Sequence, residues 1–142
     1  MTNKTAQALS HALRLFQDEV SEWSHRNFPK QEPVHPLLGV SEETGELSHA
    51  YLKREQGIRG TYGEHTEDMK DAVGDILVYL ADFCNRNRLD FADCVKLAWS
   101  RVSHRDWVTD PENGMDQDCG GGDNNRPINV TPSPVYSGEG VA

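Results

Sequence analysis

Three glutamates, Glu42, Glu43 and Glu46, fall within one and a half helical turns, and two aspartates, Asp71 and Asp75, repeat the crowding further along the chain. At about 100° per residue, Glu43 and Glu46 share one helical face, while Val40, Leu47 and Tyr51 fall on the neighbouring apolar side. Like charges at i, i+3 or i, i+4 cost a helix ~0.2–0.5 kcal/mol per pair. A cation between them would relieve that cost, and so would plain solvation of two acidic faces. Hard cations such as Mg²⁺ or Mn²⁺ take oxygen ligands, and a few carboxylates plus a phosphate complete their shell. If the two helices pack antiparallel, Glu43, Glu46, Asp71 and Asp75 are the expected metal ligands. A metal cluster of this kind neutralises a triphosphate and acidifies a water, which is the logic of metal-assisted phosphoanhydride hydrolysis. Glu42 is then the candidate general base, or a ligand in the outer shell.

The elements that must hold these acids follow from apolar periodicity. Leu9, Leu13, Phe16, Val20 and Trp23 recur at intervals of four and three, which predicts a first helix over residues 4–24. Trp23 is expected to anchor a core, in preference to stacking on a nucleobase. Three prolines between Phe28 and Pro36 force a turn before a second helix, predicted from Pro36 to about Glu55. Its apolar positions are Leu37, Val40, Leu47 and Tyr51, beside a strip of Gly39, Glu43, Glu46, Ala50 and Lys53 in which small residues leave room for an approach. Glycines at 57, 60 and 63 end it in a loop. A third helix over 66–85 presents Val73, Ile76, Leu77, Leu80 and Cys84 on one face and Asp68, Asp71, Asp75 and Asp82 roughly opposite. A fourth is predicted over 90–104, with Phe91, Val95, Ala98 and Val102 as its stripe. Four helices on short loops make an all-α, four-helix bundle-like core, and no alternating strand pattern interrupts residues 1–109.

Lys53, Arg54 and Arg59 gather positive charge just past the acidic turn. Two uses compete for them: contact with phosphate, or favourable placement at a helix C-terminus. Other chemistries find less support. The six histidines, at 11, 25, 35, 49, 65 and 104, include no i, i+4 helical pair, and each reads as a surface or packing residue. Neither a Gly-rich phosphate loop ending in Lys-Ser/Thr nor a nucleophile elbow is present.

The 142 residues suffice for one domain with a core. With 14 Lys+Arg against 23 Asp+Glu the formal charge is −9, which argues against a nucleic-acid polymer as partner, since that affinity rests on a basic surface. No apolar run reaches the ~20 residues of a membrane span, and residues 1–6 lack the apolar centre of a signal peptide, so a soluble, cytoplasmic chain is expected. Cys84, Cys94 and Cys119 have no metal-ligand spacing and are expected to be reduced. Beyond Asp110 the chain is rich in Gly, Asn, Pro and acids and offers little to bury. The expected division is therefore a helical domain over 1–109 and a disordered tail over 110–142.

Over roughly residues 16–107 the chain resembles the MazG-like all-α nucleoside triphosphate pyrophosphohydrolases. That family's Glu-Glu-x-x-Glu motif stands here as Glu42-Glu43-Thr44-Gly45-Glu46. Residues 52–60, LKREQGIRG, resemble the loop of its phage and bacterial members; residues 71–80, DAVGDILVYL, resemble its second acidic motif; Arg105-Asp106-Trp107 resembles its basic-aromatic ending. Many members carry Glu-x-x-Asp in the second motif, whereas Ala72 stands three before Asp75, and Asp71 is the expected substitute. The resemblance implies cleavage of a (d)NTP between the α- and β-phosphates to a monophosphate and pyrophosphate. It also implies Mg²⁺ or Mn²⁺ as cofactor, contact of Lys53, Arg54, Arg59 and Arg105 with phosphate, and assembly as a homodimer or homotetramer. A purine substrate such as (d)GTP is one expectation for the base. The competing expectation, motivated by Ala72, is a non-catalytic helical module that keeps the fold and binds a nucleotide or a protein.

Overall fold

The computed structural model describes residues 3–112 and Gly114. It contains four helices: α1, Asn3–Asn27; α2, Val34–Gln56; α3, Tyr62–Arg86; and α4, Phe91–Val102. No strand occurs among the described residues, so the chain is all-α. The tail expected over 110–142 lies almost wholly outside the described residues. Two compact units divide between Ser103 and His104. In the second, the Asp106 carboxylate accepts the backbone N–H groups of Val108 and Thr109 at 2.9 and 3.2 Å. The Thr109 side chain first, and then the Thr109 and Val108 N–H groups, hold the Asp106 carboxyl below its ordinary range.

Helix ends account for most of the difference between expected and observed bounds. α2 begins two residues earlier than Pro36, because a proline in the first turn gives up an N–H that has no partner inside the helix. It ends in a Schellman turn: Gly57 takes φ 64°, its N–H meets the Arg54 carbonyl, and the Ile58 N–H meets the Lys53 carbonyl, each at 3.2 Å. α3 begins four residues before Thr66, because Thr61 and Glu64 form a capping box. Thr61 Oγ1 accepts from the Glu64 N–H at 3.2 Å, and Glu64 Oε2 accepts from the Thr61 N–H at 2.7 Å. The second bond draws the Glu64 carboxyl below its usual value. At α4 the Asp90 side chain caps the Asp93 N–H, while Arg14 of α1 bridges both acids at 2.6 and 3.0 Å.

α3 is the central element. α1 packs on α3 and α4, and among the described helices α2 packs on α3 alone. The buried apolar cluster of Val20, Ala81, Cys84 and Phe91 lies between α1, α3 and α4, flanked by Leu13, Phe16, Leu80 and Val95. Polar groups fix this seam. Gln17 Nε2 donates to Asn85 Oδ1 and the Leu89 carbonyl at 2.9 and 2.8 Å, and Gln17 Oε1 accepts the Phe91 N–H at 2.8 Å.

Two expectations fail here. Trp23 is 47% exposed and meets the Phe28 ring edge-on at 5.6 Å rather than anchoring a core. Asp82, assigned to the polar face of its helix, is buried and pairs with Arg86 at 3.0 Å. The reason is local: the Arg86 guanidinium also donates to the Gln31 carbonyl and the Ser24 hydroxyl at 2.5 and 2.6 Å, so it ties the α1–α2 connection to α3. Both side chains of that pair are only 7% exposed. Truncating one partner strands a buried charge, a loss of ~3–5 kcal/mol in comparable pairs. Arg86→Ala should therefore lower the urea-unfolding free energy by about 3 kcal/mol, and a loss under ~1 kcal/mol would show that the pair is not buried in solution.

Candidate active site between two helices

Close approach of α2 and α3 creates the site. Gly39 lies under the Tyr79 ring: a Cβ there would sit 2.5 Å from a ring carbon. Ala50 and Ala72 are both buried. Small side chains at these positions let the two helices run close enough for their acidic faces to meet. Ala72, three residues before Asp75, is among the most buried side chains of α3.

A cavity of about 500 Å³ opens along this seam. From α2 it is lined by Glu42, Gly45, Glu46, His49 and Ala50, and from α3 by Asp68 and Asp71. Glu43 and Asp75 do not line it, and Glu43 couples electrostatically to Asp75 and to the lining residues Glu42, Glu46 and Asp71. Partial burial raises the Glu43 carboxyl above its ordinary value, and the charges of Glu46, Asp75, Glu42 and Asp71 add to the effect in that order. The Tyr79 hydroxyl is pushed up by burial first and then by Glu42, Glu43 and Asp75. All five carboxylates expected at the site thus fall in one neighbourhood. Reading the sequence missed His49 and Asp68, which line the cavity. Their signal was spacing: His49 is one turn beyond Glu46, and Asp68 one turn before Asp71.

Among the described residues, no three His, Cys, Asp or Glu side chains are already drawn together as a metal cage. The donors are nonetheless of the kind a hard divalent cation takes, oxygen from two facing helices. The mutual repulsion at Glu43 is the cost that such a cation would remove. Glu43, Glu46, Asp71 and Asp75 are the residues that would hold it.

The expected phosphate-binding bases are placed differently. Lys53 and Arg54 occupy the last turn of α2, where they complement the carbonyl end of the helix. Lys53 Nζ donates to Gln56 Oε1 at 2.9 Å. The Arg54 guanidinium lies against the rings of Tyr51 and Tyr62 at 5.1 and 5.0 Å, and its Nε is buried without a hydrogen-bond partner. Arg59 sits in the α2–α3 loop with φ 64°. None of these three lines the cavity. Arg105 belongs to the second unit. The loop is held by His65, buried at the start of α3, whose Nε2 lies 3.1 Å from the Ile58 carbonyl.

Glu43 gives this electrostatics a sign. Its pKa is higher in the folded chain than unfolded, so its penalty is absent below the ordinary glutamate range and develops as pH rises through the folded value. Without divalent cations, Glu43→Gln should stabilise the protein at pH 7 by a few tenths of a kcal/mol, and the gain should vanish at pH values below that range. Urea melts at the two pH values check this; destabilisation at pH 7 would contradict it.

Comparison with family models, with curated proteins and with solved structures returns no match for this chain.

Proposed function

We propose that this chain is a metal-dependent hydrolase of (deoxy)nucleoside triphosphates that releases the monophosphate and pyrophosphate. The observation behind this reading is the electrostatic coupling of Glu43 to Glu42, Glu46, Asp71 and Asp75 beside a cavity of nucleotide-compatible size. A bound Mg²⁺ or Mn²⁺ would neutralise the phosphates and acidify a water. Glu43, Glu46, Asp71 and Asp75 would hold the cation, and Glu42, at the cavity wall, would accept the proton from the attacking water. Lys53 and Arg54 at the end of α2 and Arg59 in the loop after it are the bases assigned to phosphate contact in this reading. A cytoplasmic location goes with this reading, since its substrate is the nucleotide pool.

The assay is direct: full-length protein, each (d)NTP in turn with Mg²⁺, and pyrophosphate release as the readout. A purine triphosphate such as (d)GTP is expected to be cleaved, and Glu46→Ala should lower kcat/KM by ~100-fold or more. If no nucleotide yields monophosphate, or if Glu46→Ala is as active as the wild type, the enzymatic reading is wrong. One observation favours the rival, a non-catalytic nucleotide- or protein-binding module. Ala72 is buried, so α3 has no acid three residues before Asp75 and relies on Asp71 in its place. Binding of a triphosphate without turnover is the result that would select it.

Assembly is part of the same proposal. Among the described helices α2 has a partner only in α3, and Leu37, Leu38, Tyr51, Leu52, Val73 and Leu77 on these two helices are 44–60% exposed. Apolar surface on this scale marks an interface. A second copy of the chain would cover it and complete the open bundle, giving a homodimer or homotetramer. No helix among the described residues is long and apolar enough to cross a membrane, so a bilayer-spanning role for this surface has no support. Light scattering should return a multiple of 15.9 kDa, and a monomer at micromolar concentration would contradict the assembly.

A further inference from the structure

One face of α2 runs along the whole cavity. Glu42, Gly45, Glu46 and His49 stand at i, i+3, i+4 and i+7, so they share that face, and all four line the cavity. Seven residues at the rise of a helix put His49 about 10 Å beyond Glu42 along the axis. Gly39 lies under Tyr79 at one end of the seam, and the hairpin loop joins Gly57 to Thr61 at the other. In that antiparallel register Glu43 is level with Asp75, and His49 falls near Asp68, toward the loop. The lining residues are otherwise poor in donors. Glu42, Glu46, Asp68 and Asp71 are carboxylates, and Gly45 and Ala50 carry no polar side-chain atom. Lys53, Arg54 and Arg59 do not line the cavity. Among the described residues His49 is therefore the one lining side chain with an N–H to give, and it is exposed. The acid near its level, Asp68, faces Nδ1 of the buried His65 at 3.6 Å, which leaves the His49 ring to a ligand.

We propose that His49 is a further catalytic residue, whose imidazole N–H donates to a phosphate oxygen of the departing pyrophosphate; this rests on the hydrolase reading above. Phosphoryl transfer places the attacking and leaving oxygens roughly in line. With Glu42 taking the water's proton at one end of the stripe, the leaving group points along the seam toward the other end, past Glu46 to His49. The water oxygen bonds to the α-phosphorus, the bond from that phosphorus to the bridging oxygen breaks, and its electron pair departs with the pyrophosphate. One water proton goes to Glu42. His49 keeps its own proton and meets the growing negative charge with a hydrogen bond that strengthens as the bridging bond breaks.

The test compares the full-length wild type with His49→Phe, which keeps a ring and loses the donor, and with His49→Gln, which restores a donor. His49→Phe should lower kcat for pyrophosphate release by ~100-fold with KM little changed, because the bond tightens in the transition state. His49→Gln should recover at least ~10-fold of that loss. Calorimetric titration of inorganic pyrophosphate with Mn²⁺ present should show binding about 10-fold weaker in His49→Phe. Mn²⁺ alone should bind all three proteins alike, a result that an unfolded variant would not give. Wild-type activity in His49→Phe, equal losses in the two variants, pyrophosphate binding unchanged by His49→Phe, or Mn²⁺ binding lost along with activity would overturn the proposal and leave the hydrolase reading standing. A wild type that releases pyrophosphate from no nucleotide overturns both.

Discussion

The approach of α2 to α3 is the constraint on which the rest depends. Gly39 under the Tyr79 ring, with Ala50 and Ala72 buried along the same seam, lets two acidic helical faces come together. Larger side chains would push the helices apart, because interiors and helix interfaces accommodate extra volume only by strain. Bringing five carboxylates into one field is unfavourable by itself, and the Glu43 carboxyl is raised first by partial burial and then by its acidic neighbours. The fold supports the cost through independent devices at its ends: the Schellman turn at Gly57, the capping box at Thr61 and Glu64, and His65 on the Ile58 carbonyl. These fix the hairpin, and through it the separation of the acidic faces.

A second layer of polar anchoring holds α3 against the other helices. Gln17 and Arg86 each bind groups far apart in sequence, and both act on chain connections: Gln17 on the α3–α4 turn, Arg86 on the α1–α2 segment. The buried apolar cluster is small for four helices, with Val20, Ala81, Cys84 and Phe91 at its centre. Directional bonds therefore carry an unusual share of the specificity of packing. The exposed apolar residues of α2 and α3 belong to the same picture, since among the described helices α2 packs against α3 and no other.

Much of this was legible in the sequence. The four helices follow from apolar periodicity, and the α2–α3 hairpin from the Gly-rich loop, because each is a local property of the chain. The five carboxylates expected to converge do fall in one neighbourhood, since i, i+3 and i, i+4 spacings survive folding unchanged. What was not legible depends on which neighbours a residue meets. Trp23 has the spacing of a core residue and remains half exposed, because it packs edge-on against the Phe28 ring and not into the cluster between α1, α3 and α4. Asp82 has the spacing of a solvent-facing acid and is buried, because Arg86 reaches the α1–α2 connection and brings the aspartate with it. His49 and Asp68 gave no motif, and only the packing of α2 on α3 turns them toward the cavity.

The central claim is that the seam between α2 and α3 binds a divalent cation through Glu43, Glu46, Asp71 and Asp75. Calorimetric titration of Mn²⁺ into the full-length protein, without nucleotide, tests it most directly. The account predicts saturable binding in the wild type, weakened ~10-fold or more by Asp71→Ala. Absence of saturable binding, or an Asp71→Ala protein that binds Mn²⁺ as tightly as the wild type, would contradict it.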